Sequence, residues 1–118
     1  MAGIDNDPSR IFLGGFSQGC FLALFIINEM KEKIGGALVT AGFYLNDPKV
    51  VMKEDLPPIL VLHGMEDKVV RWGLPDYNYG KLLENKNVKT VLLKDMNHDL
   101  AHQGAQEVIY SFLRGITR

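Results

Sequence analysis

Arg10-Ile11-Phe12-Leu13-Gly14-Gly15-Phe16-Ser17-Gln18-Gly19-Cys20, continuing into the apolar run that ends at Met30, is the stretch whose reading decides the fold. The residues up to Gly14 predict a buried strand and those from about Ser17 to Met30 predict a helix, so Gly15-Phe16-Ser17-Gln18-Gly19 is the turn between them. A serine at the centre of such a turn has its hydroxyl lifted clear of the backbone. Glycines two positions before and two after relieve the crowding that the turn creates. The helix that starts there aims unpaired N–H groups at whatever the serine attacks. This nucleophile-elbow pattern suits acyl transfer; a glycine-rich turn whose serine only caps the helix is the alternative.

Working outward, four short apolar segments predict strands: Arg10 to Gly14, Ala37 to Phe43, Ile59 to His63 and Lys89 to Lys94. Helices are predicted over Ser17 to Met30, Leu74 to Glu84 and Gln103 to Leu113, the second weakened by Gly80. Strands alternating with helices predict an α/β fold with a parallel sheet and right-handed crossovers. The five prolines, at positions 8, 48, 57, 58 and 75, fall outside the predicted strands, where a missing donor does least harm. No repeat, linker or low-complexity tract divides the 118 residues, and the length predicts one domain over residues 1–118.

Composition removes several function classes. The formal net charge is −1 and the charges are interspersed, as in Lys31-Glu32-Lys33, so no basic stripe offers itself to nucleic acid. A single cysteine, Cys20, excludes an internal disulfide and suits a reducing compartment. No cofactor or metal motif is visible. The apolar run from Cys20 to Ile27 covers eight residues, against the ~20 needed to span a bilayer. Met1-Ala2-Gly3-Ile4-Asp5 has neither the basic-then-apolar pattern of a signal peptide nor the glycine of a myristoylation site. The expected location is cytoplasmic.

A serine hydroxyl is a weak nucleophile until an imidazole takes its proton. His98 follows the last strand after Asp95-Met96-Asn97, at the carboxyl end of the sheet where ligands sit in open α/β folds. His63 also ends a strand, but beside Gly64 its plainer role is to close a turn. His102, four residues beyond His98, suggests a shared helix face and a metal pair, for which a third ligand is lacking. The carboxylate that fixes the base is sought just past the third strand, where Asp67 is the candidate, Glu66 its rival and helix capping its alternative role. The chain order Ser17, Asp67, His98 is that of α/β-hydrolases.

With these residues placed, the chain resembles the acyl-protein thioesterase group of the phospholipase/carboxylesterase family of α/β-hydrolases. Residues Arg10 to Gly19 are similar to the family's elbow, Pro58 through Asp67 to Val70 to its acid loop, and Met96-Asn97-His98 with the last helix to its histidine segment. The resemblance implies Ser17 as nucleophile, His98 as general base, Asp67 as its orienting partner and the backbone N–H of Gln18 as an oxyanion donor. It implies substrates that are S-acylated proteins or acyl-ester lipids, and no cofactor. It also implies a partial α/β-hydrolase fold: the C-terminal half, about four parallel strands with flanking helices, lacking the N-terminal strands and the loop that gives the second oxyanion donor. The elbow strand, Ile11 to Leu13, is then an uncovered edge open to self-association. Impaired catalysis, or a non-catalytic half-domain that binds a partner, follows from the same expectation. Two positions depart from the family pattern, Cys20 and Asp95, each where glycine is usual or frequent, and the Cys20 side chain is expected to crowd the helix start.

Overall fold

A computed structural model describes residues 7–45, 53–73 and 77–116. In chain order the elements are β1 (Phe12–Phe16), α1 (Gln18–Glu29), β2 (Gly36–Thr40), β3 (Tyr44–Leu45), β4 (Ile59–Gly64), β5 (Tyr77–Asn78), β6 (Val88–Leu93) and α2 (Gln103–Ile116). The main sheet has the order β1-β2-β4-β6 with every pair parallel. β4 reads Ile-Leu-Val-Leu-His-Gly and is buried throughout, as an unbroken apolar run demands in a parallel sheet covered on both faces.

Alternation along β4 divides the core. Ile59 and Val61 join Leu24 and Ile27 of α1 on one face, with Val39, Tyr79 and Leu82; Leu60 and Leu62 join Met96 and Ala105 on the other, under α2. β1 forms one edge of the sheet among the described residues, as expected for the elbow strand. α1 buries Cys20, Ala23, Leu24 and Ile27, and leaves Leu22, Phe25 and Ile26 largely exposed, so its apolar sequence exceeds what this sheet covers. No helix among the described residues is long and apolar enough to cross a membrane.

Several expected boundaries move. Pro8–Arg10 form a 3-10 turn capped by the Asp7 carboxylate, so β1 starts at Phe12 and runs on to pair Phe16 with Thr40. β2 stops at Thr40 because Ala41 takes φ 56°, which breaks the extended strand expected to reach Phe43. The helix expected over Leu74 to Glu84 is corrected: residues 74–76 lie outside the described residues, and the rest is β5 followed by a 3-10 turn, Gly80–Glu84, entered with Gly80 at φ 55°. β5 pairs antiparallel with β3, a ribbon that the sequence did not suggest. The amino-terminal residues 1–5, Pro48 and Pro75 also lie outside the described residues.

Candidate functional site

The turn after β1 holds Ser17 at φ 57° and ψ −120°; only it and Ala41 have positive φ among the described non-glycine residues. Such a conformation costs about 1–3 kcal/mol and persists only where its surroundings enforce it. Here the Ser17 N–H donates to Thr40 O at 3.1 Å and Ser17 O accepts the Cys20 N–H at 3.1 Å. The Ser17 side chain makes no capping hydrogen bond, so the helix-cap alternative does not describe it. A Cβ at Gly15 would lie 2.5 Å from Gly19 O and 2.9 Å from Cys20 Cα, so this glycine is sterically required. The expectation for Gly19 is corrected: a Cβ there meets nothing within 4 Å.

Cys20 sits fully buried just under the turn, its Sγ 3.1 Å from Thr40 O and 3.4 Å from Gly15 O. The expected crowding is absorbed elsewhere, because Gly42 has no side chain where a Cβ would overlap Cys20 Sγ and the Ser17 carbonyl. Burial pushes the thiol up to about 11, against the opposing Tyr79 hydroxyl. It stays protonated near neutrality and offers no thiolate beside Ser17. Gln18 opens α1, and its N–H has no backbone acceptor among the described residues.

The candidate acid and base, Asp67 and His98, lie in the loops after β4 and β6. Asp67 is 3% exposed; its Oδ1 accepts the N–H groups of Val69 and Val70 at 2.9 and 2.8 Å, and its Oδ2 accepts the His98 Nδ1–H at 2.7 Å. Glu66, the rival acid, is exposed. Because a carboxylate only accepts, His98 carries its proton on Nδ1 when neutral and keeps a lone pair on Nε2. The His98 ring rests 4.8 Å from the ring of Phe16, the residue before Ser17. The structure thus joins Asp67 to His98 and sets His98 beside the elbow, while no hydrogen bond links Ser17 Oγ to His98 among the described residues.

The shared helix face expected for His102 and His98 is corrected. Its Nε2 lies 2.9 Å from Asp95 Oδ1, its Nδ1 accepts the Ala105 N–H of the first turn of α2, and His98 lies outside the helix. The contact with His102 holds the Asp95 carboxyl below its ordinary value. No group of three metal-ligating side chains occurs among the described residues. His63, expected only to close a turn, is fully buried behind Asp67 with its Nε2 2.6 Å from Val70 O. Its partner is a backbone atom, so no side-chain pattern could have announced it.

Comparison with known proteins bears on the family and the fold. A family model described as phospholipase/carboxylesterase matches residues 2–116. Acyl-protein thioesterase 1 of Aspergillus fumigatus is 35% identical over 83 residues, which are 65% of this chain and 34% of that protein. Acyl-protein thioesterase 1 homolog 1 of Dictyostelium discoideum is 34% identical over 106 residues, 84% of this chain and 44% of the relative. The chain therefore spans less than half the length of either relative. Among solved structures, Arabidopsis thaliana SOBER1 superposes with a TM-score of 0.78 at 22% identity, over 96% of this chain and 56% of its own. Zea mays acyl-protein thioesterase 2 gives 0.68 at 18% identity, over 94% and 58%. At these identities the solved structures show a shared fold, of which this chain covers a part.

Proposed function

The chain belongs to the phospholipase/carboxylesterase family of α/β-hydrolases, and from that membership we propose that it is a serine hydrolase of acyl thioesters or carboxylic esters. The observation that carries the reading is the part-buried 2.7 Å bond from His98 Nδ1 to Asp67 Oδ2, made beside a serine in a strained turn. In this reading Ser17 Oγ attacks the carbonyl carbon while His98 Nε2 takes its proton. The carbonyl electrons move to oxygen, where the Gln18 N–H receives the negative charge. As the intermediate collapses, the C–S or C–O bond breaks and His98 returns the proton to the leaving thiolate or alkoxide. Water, deprotonated by His98, then releases the acid from the Ser17 acyl-enzyme.

The substrates we propose are S-acylated proteins or acyl-ester lipids, met in the cytoplasm by residues 1–118 acting as a single, partial hydrolase domain. Gln18 is the one oxyanion donor assigned. Losing one such donor costs about 10²- to 10³-fold in turnover, so the Gln18 N–H is expected to carry that share of the rate. The test is hydrolysis of a palmitoyl thioester, a short carboxylic ester and a peptide by the purified chain and by Ser17→Ala. Thioester or ester cleavage that Ser17→Ala abolishes is the expected result; peptide cleavage alone, or no difference between the two proteins, contradicts it.

One observation favours a second reading. β1 is an edge strand among the described residues, and Ile11 and Phe12 are each about 40% exposed, as befits a strand that pairs with another chain through Ile11 to Leu13. Size-exclusion chromatography with light scattering decides it: a dimer or larger species supports self-association, and a folded monomer rejects it.

A further inference from the structure

His63 is the last residue but one of β4 and 0% exposed, a costly place for an imidazole whose second nitrogen has no hydrogen-bond partner among the described residues. Its Nε2 lies 2.6 Å from Val70 O, and a carbonyl can only accept, so the ring proton sits on Nε2 and the lone pair on Nδ1 is the orphan. A buried polar group left unsatisfied asks for a reason beyond packing, since an apolar ring would fill the same space beside Trp72, whose ring is 5.3 Å away. The reason lies in what the other nitrogen holds. The residue Val70 is tied at both ends, its N–H to Asp67 Oδ1 and its C=O to His63 Nε2. The same Nε2 is 3.6 Å from Asp67 Oδ2, the oxygen that receives His98.

The next residue performs the matching task for the base. A Cβ at Gly64 would overlap Met96 O and lie 2.5 Å from Met96 C, so only glycine lets these backbones approach. Across this opening Met96 O accepts the Glu66 N–H at 2.9 Å and Leu93 O accepts the Met65 N–H at 2.8 Å. Met96 is fully buried and stands two residues before His98.

We propose that the His63-Gly64 step positions the acid–base pair: His63 pins the acid loop through Val70, and Gly64 admits the base loop at Met96, so that Asp67 and His98 meet at bonding distance. His63 touches no substrate in this account and is a positioning residue. The inference rests on the serine-hydrolase reading for the purpose of the pair, and not for its geometry.

The test uses the full 118-residue chain with His63→Phe, which keeps the ring and loses the donor, and His63→Gln, which returns an N–H at the place of Nε2. In the parent, ¹⁵N NMR should find His63 protonated on Nε2, and a downfield proton signal should mark the His98 Nδ1–H bonded to Asp67. His63→Phe should melt cooperatively yet lose that signal, and Ser17 should react with a fluorophosphonate about 10²-fold more slowly, the scale of a roughly 1 Å misplacement. His63→Gln should restore both. A folded His63→Phe with signal and labelling unchanged overturns the proposal. So does a parent His63 protonated on Nδ1, a measurement that stands even where His63→Phe fails to fold. If Ser17 never labels while the His98 signal still depends on His63, the hydrolase reading fails and the positioning role stands.

Discussion

Replacing Asp67 by asparagine should cost little stability and nearly all turnover. The carboxylate accepts two backbone N–H groups on Oδ1, from Val69 at 2.9 Å and Val70 at 2.8 Å, and the His98 Nδ1–H on Oδ2 at 2.7 Å. An asparagine can keep the two backbone donors only by placing its carbonyl oxygen at Oδ1, which turns its NH₂ toward His98. Two donors cannot face each other, so His98 must move its proton to Nε2 and accept at Nδ1. A charge-assisted bond worth about 1.5–3 kcal/mol becomes a neutral one worth about 1, a net loss of about 0.5–2 kcal/mol. For a domain of this size that is a fall of about 2–8 °C in melting temperature. The nitrogen that should take the Ser17 proton now carries one. A wrong tautomer of this kind lowers turnover by about 10⁴, or ~5.5 kcal/mol of barrier. The assay pairs a thermal melt with the initial rate of Ser17 labelling by a fluorophosphonate. A folded Asp67→Asn that labels within tenfold of the parent would refute the tautomer argument.

The two elbow glycines should behave oppositely. Gly15→Ala drives a Cβ against the backbone of Gly19 and Cys20 and should destabilise by about 1–3 kcal/mol, whereas Gly19→Ala enters open space in α1 and should stabilise by up to about 1 kcal/mol; urea midpoints read both. Cys20 should resist iodoacetamide in the native chain at pH 8, because burial pushes its thiol up to about 11, and should be alkylated once urea unfolds it; mass spectrometry counts the adduct. Asp95 has a folded-state value lowered from 3.8 by the His102 contact, so its contribution is fully present above 3.8 and disappears as pH falls through the lowered value. His102→Ala should flatten that acid limb of a melting-temperature profile, by a small amount because the pair is exposed.

What could be read from the sequence was whatever is local. The elbow needs only five residues and a strand and helix on either side, and the four parallel strands announce themselves as short apolar runs. The Ser17, Asp67, His98 order pointed to Asp67 and His98 as the candidate pair, and the structure bonds these two at 2.7 Å while Glu66 is exposed. Long-range backbone pairing stayed hidden. Tyr77–Asn78 pairs with Tyr44–Leu45 across more than thirty residues, so the stretch that looked weakly helical is partly a strand. The extension of β1 past Gly14 to Gly15 and Phe16 depends on its register against Val39 and Thr40, not on any apolar pattern. His63 escaped for the same reason: its partner is the Val70 carbonyl, and every residue has one.

The central claim is that Ser17 is a nucleophile activated by His98, and covalent labelling of the purified 118-residue chain by a fluorophosphonate tests it most directly. The account predicts one adduct, mapped to Ser17 by peptide mass spectrometry, absent in Ser17→Ala and strongly slowed in His98→Ala. A folded chain that takes up no probe, or takes it up equally in Ser17→Ala, contradicts it.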